Sequence, residues 1–202
     1  MHLIREMENP KVIPAQGSAL VAVDVQKDFL PHKGTLPVPD AWKIIPVLNR
    51  YIALFHKKGL PIFATRDWHP PDHCSFINHG GLWPAHCVAE TEGASFASEL
   101  FLPDSTIVIS KGVSLYDESY SGFQDTSLNE RLMNLRISAL FIGGLATEYC
   151  VFHTVKDALH LGYAVFLLED CIKGVDTSVA EQKKEETVRL GAKKIVLEML
   201  TQ

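Results

Sequence analysis

Six short runs dominate this chain: SALVAVDV, LPIFATRD, STIVISKG, SALFIGGL, YAVFLLED and KKIVLEML. They are apolar and rich in β-branched residues, and the first two read as strands covered on both faces. Helical patterns lie between them. From Asp40 to about Lys58 apolar residues recur at helical spacing and Gly59 closes the pattern, while Pro46 should kink that helix or mark a boundary. Ser127–Leu135, Glu148–Leu161 and Ser178–Leu190 also read as helices. The alternation predicts an α/β fold with a mostly parallel central sheet and helices on both faces. Ligands of such sheets bind outside the carboxyl ends of the strands. Asp24, Asp67, Lys111 and the turn before Cys150 all fall at such ends, so residues far apart in sequence should meet on one rim.

A chain of 202 residues has the length of one domain. We expect a single domain over 1–202, with 1–17 an N-terminal extension. A net charge of −5 offers no footprint for phosphate backbones or anionic lipid, which argues against nucleic-acid and membrane partners. No secretory leader or membrane-length apolar run is evident, so a cytoplasmic location is the expectation. Four cysteines (Cys74, Cys87, Cys150 and Cys171) are too few for a disulfide scaffold, and in a reducing compartment each is a free thiol or a ligand. A homo-oligomer stays open.

Cys150 opens the helix that follows GGLATE, where unpaired amides and the positive end of the dipole favour a thiolate. Packing as a small buried hydrophobe is the alternative. Asp24 is the better base for it than His153, which lies one turn further in and points away from the rim. Lys111 would stabilise both negative forms. The segment 68–102 is loop-like and crowded with His, Trp, Pro and Cys, which marks it as functional. In RDWHPPDHCSFINHGGLWPAHC, Asp67 and His69 alternate along an extended chain and His86 can return to them. One carboxylate and two imidazoles leave coordination positions open on a metal. The alternatives are solvated histidines, or a structural zinc site on Cys74 and Cys87, whose spacing is too wide for the usual close cysteine pair.

Five blocks in order, AVDVQKDF, ATRDWHP, WPAHCV, SKG with YSGF, and GGLATEYCV, are similar to those of the nicotinamidase family of isochorismatase-like cysteine hydrolases. The resemblance runs from about Ala19 to about Leu197. It implies an isochorismatase-like three-layer sandwich and hydrolysis of nicotinamide to nicotinate and ammonia through a thioester, with activity on pyrazinamide, in NAD salvage. It implies a triad of Asp24, Lys111 and Cys150, and one divalent metal ion, Zn2+ before Fe2+ or Mn2+, on Asp67, His69 and His86. It further implies a substrate pocket of Phe29, Trp83 and Tyr120, oxyanion donors at the backbone amides of Ala146 and Cys150, and a cis peptide at Leu145–Ala146. In this reading 68–102 is the metal- and substrate-binding loop. The chain departs from several relatives at Asn78, which stands where they carry a glutamate near the metal; His73 and His79 are candidate substitutes. Another small-amide hydrolase, or an idle metal-binding domain, is the rival reading.

Overall fold

Strand β1 (Ser18–Val23) lies at the middle of a six-stranded sheet in a computed structural model that describes residues 11–31 and 33–200. The other strands are β2 (Ile62–Asp67), β3 (Ile107–Lys111), β4 (Ala139–Leu145), β5 (Ala164–Lys173) and β6 (Lys193–Ile195). The order is β3-β2-β1-β4-β5-β6 and every pair is parallel. Alternate residues of β1 enter opposite cores. Leu20 and Ala22 join Tyr51, Phe55 and Phe141 on one face, and Ala19, Val21 and Val23 join Leu128, Leu132 and Val155 on the other. Helix α1 (Ile45–Lys57) covers the first face; α2 (Leu128–Asn134) and α3 (Phe152–His160) cover the second. Helix α4 (Thr177–Arg189) begins with the Asp176 carboxylate accepting the Val179 N–H at 2.9 Å, an N-cap.

Strand order reverses between β1 and β4, so the chain leaves their carboxyl ends in opposite directions and opens a crevice there. Register levels the strand ends, with Val23 opposite both Thr65 and Gly144, and Asp67 opposite Lys111.

Pro46 marks a boundary, the second of the two expected outcomes: a 3-10 turn, Ala41–Ile44, precedes α1, and Pro46 sits in the first turn, where its missing N–H breaks no bond. Two expectations need adjusting. The helix read from Glu148 opens with a wide π turn, Thr147–Val151, because the Val151 N–H reaches back to the Ala146 carbonyl at 3.2 Å. Such turns are frequent at functional sites. The last run pairs only over Lys193–Ile195, since Leu197–Met199 coils into a 3-10 turn whose Leu197 N–H is held by Asp170 at 2.9 Å. Of the expected extension, 1–10 lies outside the described residues. Val12 pairs with Leu200.

Residues 68–102 contain one 3-10 turn, Ile77–His79, among the described residues. The segment doubles back, His69 N–H donating to Cys87 O at 3.0 Å and Ala89 N–H to His69 O at 2.8 Å, which returns His86 to the sheet rim. No helix among the described residues is long and apolar enough to cross a membrane.

Gly144 pairs with Val23 at φ 132, and a Cβ there would run into the Val23 backbone. Gly144→Ala is expected to lose at least about 2 kcal/mol of stability. Gly59→Ala, at φ 65 with open space around it, should lose only about 1 kcal/mol. Urea unfolding of the two variants checks the difference.

Candidate active site

At the switch point four strand ends converge on one ammonium group. Lys111, 1% exposed, ends β3; its Nζ lies 2.9 Å from Asp24 Oδ2, in contact with Asp67 Oδ1, and 3.4 Å from Cys150 Sγ. It also donates to Ser119 O at 3.1 Å, which ties the irregular 112–126 stretch over the site. Burial works against this charge, yet Asp24 and Asp67 outweigh it and hold Lys111 well above the usual lysine range.

Asp24 turns out of β1 at φ 49. Its Oδ1 accepts the Thr65 hydroxyl at 2.6 Å, whereas Oδ2, although close to Lys111, has no donor aligned on it. Carboxylate oxygens of Asp24 and Asp67 and the Cys150 sulfur lie within 4.8 Å of one another. Complete burial raises the Asp24 pKa despite Lys111. Burial also raises Cys150 well above the ordinary thiol value, with Lys111 pulling the other way. Desolvation outweighs the help that Lys111 gives the thiolate, so a thiol faces a carboxylate with a free lone pair, as a base that takes the thiol proton requires.

Asp67, His69 and His86 form a second group, with donor atoms again within 4.8 Å. His69 Nδ1 bonds to Gly112 O at 2.9 Å and His86 Nδ1 to Pro84 O at 2.8 Å. A carbonyl only accepts, so each Nδ1 carries a proton and Nε2 is the nitrogen left to ligate. His69 Nε2 faces Asp67 Oδ2 at 3.8 Å. Burial, opposed by the Gly112 carbonyl, lowers the His69 pKa to about 3 and keeps the ring neutral, the form that ligates. This donor set fits a divalent cation. His73 stacks on His69 with ring centroids 4.1 Å apart, but both its nitrogens are engaged, by Ser75 Oγ at 2.7 Å and Asp117 O at 3.2 Å. Asn78 and His79 are exposed on the Ile77–His79 turn. Neither Cys74 nor Cys87 joins a ligand group among the described residues.

Both groups open on one cavity of about 40 Å³, with Cys150, Ala146, Asp67 and His86 in its wall. Phe29, Trp83 and Tyr120 line it. Trp83 Nε1 donates to Tyr120 Oη at 3.0 Å, and Tyr149 meets Trp83 edge-on at 5.2 Å. His153 stays outside this lining and stacks on Tyr120 at 5.4 Å. The Leu145–Ala146 peptide is cis. Sequence reasoning missed Tyr149 and Glu118, which also line the cavity, and Thr65 and Gln26 behind it. A tyrosine beside the candidate cysteine was the only available signal for Tyr149.

The isochorismatase domain family matches this chain over residues 18–196. The nicotinamidase of Escherichia coli K12 is 37% identical over 179 residues, which is 78% of this chain and 84% of that protein. Among solved structures, the pyrazinamidase of Pyrococcus horikoshii in complex with zinc is 45% identical with a TM-score of 0.87, covering 90% of this chain and 99% of that one. A protein of L. infantum in complex with nicotinate is 32% identical with a TM-score of 0.89, covering 96% and 99%.

The thiol chemistry is open to direct measurement. Because burial raises the Cys150 pKa, its alkylation by iodoacetamide should still be accelerating between about pH 7 and 9. Lys111→Met removes the only cause that favours the thiolate over burial and two carboxylates, and should slow alkylation at least about tenfold. Peptide mapping by mass spectrometry checks both; a plateau below pH 8 would contradict the first.

Proposed function

The chain belongs to the isochorismatase domain family, and on that premise we propose that it hydrolyses nicotinamide to nicotinate and ammonia, and deamidates pyrazinamide, through a thioester on Cys150. One observation carries this reading: Cys150, with Asp24 buried behind it, and two of the three metal-ready donors, Asp67 and His86, share the wall of a single small aromatic cavity. A flat heteroaromatic amide suits such a cavity, the ring among Phe29, Trp83 and Tyr120 and the carboxamide beside Cys150. The E. coli, P. horikoshii and L. infantum proteins support the same substrate class.

Asp24 Oδ2 takes the thiol proton as sulfur attacks the amide carbon. The developing oxyanion is held by the backbone amides of Ala146 and Cys150. Asp24 returns the proton to the nitrogen, the C–N bond breaks and ammonia leaves. Water, deprotonated by Asp24, then attacks the thioester carbon, releasing nicotinate and restoring the thiol. Lys111 stays charged throughout and offsets each negative form of Asp24 and Cys150. A divalent cation on Asp67, His69 and His86, with zinc the expected ion and Fe2+ or Mn2+ the alternatives, would supply a Lewis acid for the pyridine nitrogen. On this reading the chain is one hydrolase domain with 68–102 as its metal- and substrate-binding loop, 1–17 an extension, and its product entering NAD salvage in the cytoplasm.

Ammonia release with nicotinamide, pyrazinamide and a non-aromatic amide tests the reading, and turnover of the non-aromatic amide alone would reject it. Cys150→Ala should cut release at least about a thousandfold without loss of circular dichroism. His69→Ala should lose bound zinc and raise KM for nicotinamide; metal content and KM both unchanged would refute the donor set.

A further inference from the structure

Strand β2 runs further than its neighbour β1. Pairing of the two ends at Val23 and Thr65, with Asp24 N–H donating to Thr65 O at 3.2 Å, because Asp24 at φ 49 carries the chain away. Asp67, two residues on, keeps β3 on one side but has no strand on the other. The side chain of Gln26 stands in for one. Its Oε1 accepts the Asp67 N–H at 2.8 Å and its Nε2 donates to the Asp67 carbonyl at 2.8 Å, the paired bonds a neighbouring strand would make. The remaining Nε2 hydrogen goes to Ala94 O at 2.9 Å, in the returning arm of the 68–102 loop. Gln26 is fully buried, and both donors of its amide are used.

We propose that Gln26 is a positioning residue that acts through Asp67, holding its backbone so that Oδ1 meets Lys111 while Oδ2 faces the imidazoles. This rests on the reading of Asp67, His69 and His86 as metal ligands. Asp67 is the one residue shared by the two groups, so its placement governs both. Only a primary amide of this length supplies one acceptor and two donors here. Glutamate has the shape but would set a carboxylate oxygen against the Asp67 and Ala94 carbonyls; methionine has the length and no strong hydrogen bond.

Zinc affinity of the full chain, measured by competition with a chromophoric chelator, reads this placement directly. Gln26→Met and Gln26→Glu are expected to raise the zinc Kd about 10–100-fold, the scale of losing a partner behind a ligand. At saturating zinc the kcat for nicotinamide should stay below wild type, because Lys111 is displaced as well. Phe55→Leu, on the buried face of α1, serves as the stability control and should lower the urea midpoint with zinc Kd unchanged. Gln26 variants that hold zinc as tightly as the control, or a Gln26→Met chain that stays unfolded even with zinc, would overturn the proposal. Asp67→Asn and His69→Ala separate the two readings: unchanged zinc Kd in these rejects the metal set itself, whereas weakened zinc in these with none in the Gln26 variants rejects Gln26 alone.

Discussion

A buried lysine between two buried carboxylates is the constraint on which the rest of the site depends. One positive charge removed from water is tolerable only if its partners come with it, and stripping one partner from such a set costs about 3–5 kcal/mol. Here the partners arrive from different strands: Lys111 from β3, Asp67 from β2 and Asp24 from the end of β1. A slip of one residue in any of these pairings would turn a charged side chain to the other face of the sheet. Charge pairing and strand register therefore support one another, and the thiol after β4 is added to a lysine that already has both of its carboxylate partners.

Asp67 makes the site one unit instead of two. Its oxygens point to different tasks, one to Lys111 and one towards His69. Above it the 68–102 loop needs little regular structure, because its polar groups are held by specific partners. Asp28 illustrates this, its carboxylate accepting the Cys87 N–H at 2.7 Å next to His86. The pocket walls are braced in a similar way, through the bond from Trp83 to Tyr120 and the edge-on packing of Tyr149. Rings fixed by one another lose little freedom when a flat ligand enters, which is how a small cavity orients a reacting group.

Much of this was legible before any coordinates. Apolar runs ending in Asp24, Asp67 and Lys111 marked strands and their functional ends, and the DWH and AHC segments marked a donor set. The π turn at Thr147–Val151 was not legible, because a wide turn and an ordinary helix start share the same residue pattern and differ in which carbonyl the Val151 N–H finds. Nor was the short β6, whose apolar run leaves β5 after Ile195 although β5 continues to Lys173, the Leu197 N–H going to the Asp170 side chain. Thr65 and Gln26 looked like ordinary polar residues near strand ends, since their roles lie in the groups they touch across the sheet.

By itself, the sequence determined the fold class, the strand ends that carry chemistry and the residue types gathered there, because periodicity and strand length are local properties of the chain. Tertiary structure alone decided that Cys150 rests as a buried thiol, that Asp67 serves two groups, and that His73 is engaged while Asn78 and His79 face solvent. Each of these depends on desolvation or on a hydrogen-bond partner many residues away, and neither quantity exists until the strands are assembled.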